Sequence, residues 1–150
     1  DRLPSDTVTT TKRKKPLARE SKRRKAQHAA RKAAGDKATI GHICVLWRLG
    51  NCQGRVVPHE LVKQSAMRDA RLVERNVVAV CWFHNSWIED HPYDAQHYGV
   101  CIPRWVYDMH GEAAFDEADR LRALVTFGQM GEPFWIAEAE QAPDGYDSRA

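Results

Sequence analysis

Between Arg55 and Pro92 the chain gathers His59, Glu60, Asn76, Cys81, His84 and Asn85 into RVVPHELVKQSAMRDARLVERNVVAVCWFHNSWIEDHP. Imidazole, carboxylate, amide and thiolate are the groups that ligate cations and move protons. Cys81 and His84 form a C-x-x-H pair that one metal ion can bridge. Cys44 and Cys52 stand upstream as C-x7-C. That spacing is looser than the C-x2-C of common zinc knuckles, and taken alone the two read as small buried hydrophobes.

The elements that must position these residues follow from local pattern. Arg55 to Val62 reads as a strand, with Pro58 pointing to an edge or a bulge. The charged connection from Lys63 to Arg75 has room for a turn of helix in MRDARLVER. Asn76 to Cys81 is the best strand of the chain, and Trp82 to Asp90 a short helix with Trp82, Phe83, Trp87 and Ile88 available for packing. C-x-x-H therefore falls on a strand–helix junction. Pro92 opens a further helix that Gly99 caps. Cys101, Pro103 and Trp105 close the body, Cys101 as a buried hydrophobe. Glu112 to Phe127 is an amphipathic helix, with Phe115, Ala118, Leu121, Leu124 and Val125 on one stripe and Gly128 at its end. Pro133 to Ile136 packs back on the body, and the acidic stretch from Glu138 reads as a mobile tail.

Length and charge set the frame. The 150 residues suit one modest domain with tails, and 43% hydrophobic content is enough for a core although mean hydropathy is −0.61. No apolar run approaches the ~20 residues of a membrane span, and the basic, polar N-terminus has no apolar signal core. The expectation is a cytoplasmic protein with no membrane partner, whose four cysteines bind metal or fill the core rather than pair. Residues 1–40 carry 13 Lys/Arg against 4 Asp/Glu, whereas the remainder has 10 against 16. A basic arm on a mildly acidic body suggests a polyanionic partner. KRKK and SKRRK, with Arg19 between them, supply the charge through Lys12, Arg13, Lys14, Lys15, Arg19, Lys22, Arg23, Arg24 and Lys25. Good helix formers from Glu20 to Ala34 would let a helix form on a phosphate backbone. Gly35-Asp36 marks the expected boundary between arm and body.

Together, C-x7-C, His59-Glu60, Asn76 before a β-run and C-x-x-H-N-x-W-I resemble the phage type of HNH endonuclease. The likeness covers about residues 12 to 106, with the chemistry between His59 and Pro92. It implies an α+β, ββα-metal fold in which a hairpin and a helix clamp one divalent cation, with a separate structural zinc. Residues 1–38 would be a flexible DNA-contacting arm, 39–110 the HNH domain, and 111–150 a C-terminal helix and acidic tail.

By this resemblance His59 takes the metal position of the motif's paired residues and Glu60 the water-activating one. Asn76 matches the central Asn, and Asn85 stands where the final His, a metal ligand, is usual. The catalytic set would be His59, Glu60 and Asn76, with His59 and Asn85 on Mg²⁺ or Mn²⁺ and structural Zn²⁺ on Cys44, Cys52, Cys81 and His84. Two departures matter: a glutamate of reference pKa ~4.3 is a weak base at neutrality, so either Glu60 is shifted upward, or His59 serves as base in a register moved by one residue, or catalysis is slow or absent. Asn85 in place of His shifts preference towards oxygen-loving cations. The implied partners are double-stranded DNA and phage packaging proteins, in the cytoplasm of a phage-infected or bacterial host cell. The implied activity is phosphodiester hydrolysis, and the competing expectation a zinc module of the same fold that binds DNA or a packaging partner without cutting.

Overall fold

The computed structural model describes residues 21–63, 67 and 69–139. In chain order its elements are helix α1 (Lys22–Thr39), a 3-10 turn (Trp47–Leu49), strand β1 (Val56–Glu60), helix α2 (Ala70–Arg75), strand β2 (Val77–Cys81), and helices α3 (Trp82–Asp90), α4 (Pro92–His97), α5 (Arg104–His110), α6 (Glu112–Thr126) and α7 (Ile136–Ala139). The class is α+β, an antiparallel hairpin packed between helices. Among the described residues no helix is long and apolar enough to cross a membrane.

The hairpin sets Val56 opposite Cys81, Pro58 opposite Ala79 and His59 opposite Val78. Successive side chains alternate between faces, so Val57, His59, Val78 and Val80 share one face while Pro58, Glu60, Val77 and Ala79 share the other. The first face meets α3, where His59 reaches Asn85. The second meets α1, where Pro58 lies against Gly35 and Glu60 stands 4.0 Å from the Arg31 guanidinium. Pro58 is tolerated because a two-stranded sheet consists only of edges.

Helix α1 departs from expectation. The sequence places a boundary at Gly35-Asp36, but the helix runs through it to Thr39. A Cβ at Gly35 would lie 3.3 Å from both Cβ and Cγ of Pro58, so the missing side chain lets α1 press on the hairpin. That contact outweighs the ~1 kcal/mol that glycine costs inside a helix. The first half of α1 is exposed and its second half, with Ala34 buried, belongs to the body.

Two apolar clusters meet at Val78. One gathers Ala34, Leu61, Val62, Val73, Trp105, Val106, Phe115, Ala118 and Trp135. The other gathers Cys44, Leu46, Val80, Cys81, Ile88, Val100, Cys101 and Val125. Helix α6 buries the expected stripe, Phe115, Ala118, Leu121 and Val125, with Leu124 half-buried. Trp135 is fully buried and donates its indole N–H to Gln96 Oε1 at 2.8 Å. The described part of the C-terminal segment is thus core rather than appendage. Helix α5, in a stretch to which the sequence reading gave no helix, is held by buried Trp105 and Val106.

Candidate functional site

Cys81 ends β2 and caps α3: its sulfur accepts the His84 amide at 3.4 Å. His84 is therefore in the first turn of the helix, with its ring turned back over the strand end. Cys44 reaches the same point because Val45 N–H donates to Ala79 O at 2.9 Å, which ties the loop after α1 to β2. The 3-10 turn and a left-handed Asn51 (φ 61°) then bring Cys52 round to close the set.

His84 Nδ1 lies 3.3, 3.5 and 3.2 Å from the sulfurs of Cys44, Cys52 and Cys81, and the four ligand atoms all fall within 4.8 Å of one another. A tetrahedral zinc with bonds of ~2.3 Å to sulfur and ~2.1 Å to nitrogen sets N···S edges of about 3.6 Å. The cluster is consistent with a structural zinc site. Its electrostatics fit a cation too. Burial, then the neighbouring Cys44, pushes the Cys52 thiol up to about 12, and burial raises Cys44. For Cys81 burial is outweighed by the amide donors of His84 and Gln53, and the net shift is downward. Crowded thiols resist ionising together; a cation among them reverses that balance.

The second arrangement lies on the α3 face of the hairpin. His59 is 5% exposed. Its Nε2 is 2.8 Å from the carbonyl oxygen of Val100 and its Nδ1 is 3.2 Å from Asn85 Oδ1. Burial lowers its pKa, which favours the neutral ring with a single proton. Only Nε2–H can face a carbonyl at that distance without repulsion, which leaves the Nδ1 lone pair pointing at the Asn85 oxygen. Two acceptors 3.2 Å apart are the edge that adjacent ligands of a divalent cation make at ~2.1 Å each. A backbone carbonyl fixing the other ring nitrogen is the usual support of a ligating histidine. With the amide turned over, Nδ2–H would instead donate to Nδ1, a plain hydrogen bond.

Asn76 sits between the two strands' inner ends, 3% exposed. Its Oδ1 accepts Val62 N–H at 2.8 Å and its Nδ2 donates to Val62 O at 3.1 Å, while its own carbonyl accepts Leu61 N–H at 2.8 Å. Leu61 O in turn accepts Ile102 N–H at 2.8 Å. A short chain of bonds thus runs from Asn76 to the 100–102 segment whose Val100 carbonyl orients His59. Asn76 ties the end of the hairpin to the segment after it.

The two paired positions of the motif are separated. His59 and Asn85 come together, whereas alternation turns Glu60 to the α1 face beside Arg31. Sequence reasoning passed over Glu89, which follows Asn85 by one helical turn, pairs with Lys63 at 2.5 Å and acts electrostatically on His59. An i,i+4 polar pair on the motif helix was the available signal. Among the described residues, no group of three or more Cys, His, Asp or Glu other than the Cys44–His84 set converges on one point. Of the expected arm, Lys22, Arg23, Arg24 and Lys25 are exposed in the first turn of α1; Lys12, Arg13, Lys14, Lys15 and Arg19 lie outside the described residues.

Compared with known proteins, the chain matches no family model, no curated protein and no solved structure.

Proposed function

We propose that this chain is a metal-dependent nuclease of the HNH type, with a ββα-metal core that hydrolyses DNA phosphodiester bonds. The observation that carries it is the 3.2 Å approach of His59 Nδ1 to Asn85 Oδ1, between β1 and the helix that follows the hairpin, beside the Cys3His cluster; with His59 protonated at Nε2 the two atoms are both acceptors. A Mg²⁺ or Mn²⁺ ion bound there would stabilise charge on the scissile phosphate and activate water. Two protein ligands suit such ions, which keep water and substrate phosphate for their other positions. His59, oriented by Val100, and Asn85, fixed on α3, would hold the ion, and Asn76 would keep the end of the hairpin rigid. Lys22, Arg23, Arg24 and Lys25 support a polyanionic partner for a second reason. Four cations in a first helical turn oppose the positive end of the helix dipole, a cost that phosphates on DNA would relieve.

The test is nicking of supercoiled plasmid with Mg²⁺, Mn²⁺ or no added metal, by wild type, His59→Ala and Asn85→Ala. Metal-dependent nicking lost in both variants is expected. Equal nicking by wild type and His59→Ala would overturn the assignment. The position of Glu60 favours a second reading, a zinc module that binds DNA without cutting it, because Glu60 faces α1 and not the cation pair. Salt-sensitive binding with no nicking under any metal would select that reading.

A further inference from the structure

Trp82, the first residue of α3, is 54% exposed and Phe83 beside it 38%. They border an open hollow of about 410 Å³ with Gln53, Gly54 and Ser86. Large aromatics left in water side by side generally mark a contact surface, and this one is rigidly built. Trp82 N–H donates to Arg55 O at 3.0 Å and Phe83 N–H to Gln53 O at 3.1 Å, so the lead-in to β1 is tied to the first turn of the helix. Gly54 has a left-handed φ of 78°, and a Cβ there would lie 2.9 Å from Trp82 Cβ. Only glycine lets the loop run so close beneath the indole.

The place of this surface decides its occupant. At 3.6 residues per turn, Trp82, Asn85, Ser86 and Glu89 occupy one arc of α3, and His84 and Ile88 occupy the buried arc. Trp82 therefore shares the helix face of Asn85, its backbone about 4.5 Å away along the axis. One nucleotide of a strand advances about 3.4 Å along a duplex axis. A strand running along α3 with a phosphate at Asn85 would bring its neighbouring nucleotide to Trp82. Exposed Arg55 adds positive charge beside the indole, and Gln53 and Ser86 add polar groups.

We propose that Trp82, flanked by Phe83, is a base-stacking platform for an unpaired nucleotide next to the phosphate that a cation on His59 and Asn85 would engage. The inference rests on the nucleic-acid reading of that pair and adds a substrate class. A base stacked on the indole has left its own duplex stack, so the preferred substrate has single-stranded or melted DNA at this step.

Fluorescence anisotropy without added divalent cation tests it on three probes: a short oligothymidylate, an abasic strand of equal charge, and a blunt duplex. Wild type binds the oligothymidylate most tightly. Trp82→Ala weakens that complex roughly 5- to 100-fold and leaves the abasic strand unchanged, while Trp82→Phe retains most of the affinity. Zinc content equal to wild type shows that the variant is folded. Equal loss on base-bearing and abasic strands, or no loss on either, overturns the proposal; the latter assigns the surface to a protein partner. Base-selective loss in a protein that nicks no plasmid keeps the platform and removes the hydrolytic reading. Nicking by wild type with no base-selective loss does the reverse.

Discussion

Replacing Asn76 with alanine should destabilise this protein more than any other single polar substitution at the hairpin. The side chain satisfies both backbone groups of Val62 at 2.8 and 3.1 Å, in a place with 3% exposure. Alanine fills neither role and admits no solvent, so one N–H and one C=O are left buried and unpaired. Each such group costs about 1–3 kcal/mol, a combined loss of about 2–6 kcal/mol. Against total stabilities of about 5–15 kcal/mol for ordinary domains, that is severe. With a urea slope of about 1–3 kcal/mol per molar, the midpoint should fall by at least ~0.7 M, read by tryptophan fluorescence on the zinc-loaded protein. Asn76→Asp isolates the halves: it still accepts from Val62 N–H but sets a carboxylate oxygen against Val62 O, and should be no better than alanine. A midpoint for Asn76→Ala within ~0.3 M of wild type, at unchanged slope, would refute the side-chain clamp on Val62.

Protein purified without added metal should carry one zinc per chain by elemental analysis, lost in Cys81→Ser and kept in Cys101→Ser, because Cys101 lies outside the cluster. Gly99→Ala should destabilise by at least ~2 kcal/mol in the same urea titration, since its Cβ would meet Ala118 O at 2.3 Å and its φ is 71°. Trp135→Phe should cost about 2–4 kcal/mol, the sum of the buried hydrogen bond to Gln96 lost and a cavity at a fully buried site; a loss below about 0.5 kcal/mol, on the order of experimental error, would show that the segment is not locked.

What could be read from the sequence was whatever short-range pattern controls. The strand from Asn76 to Cys81 and the helix from Trp82 to Asp90 are local: a β-branched run, then a cysteine whose sulfur caps the next turn. The stripe on α6 was equally local. Gly35 misled because its glycine serves a tertiary contact with Pro58 rather than a break, and no local rule distinguishes the two. Helix α5 was missed because its apolar residues, Trp105 and Val106, are too few to set a period. At the site, residue types were legible but facing was not. Consecutive His59 and Glu60 look like a pair in sequence, and a regular strand must send them to opposite sides. Val100, the partner that fixes the His59 ring, contributes only its carbonyl, and a backbone group leaves no trace in residue identity.

His84 and Asn85 are consecutive on α3, one turned to the cysteine cluster and the other to His59. A single helical turn is thereby common to two candidate cation positions. Whatever free energy one ion spends on setting that turn is spent for the other as well. Linkage makes the effect mutual: the factor by which zinc tightens binding of the second ion is the factor by which the second ion tightens zinc. A chelator selective for zinc over Mg²⁺ would then weaken the neighbouring position without competing for its ion, and saturating Mn²⁺ should slow the escape of zinc.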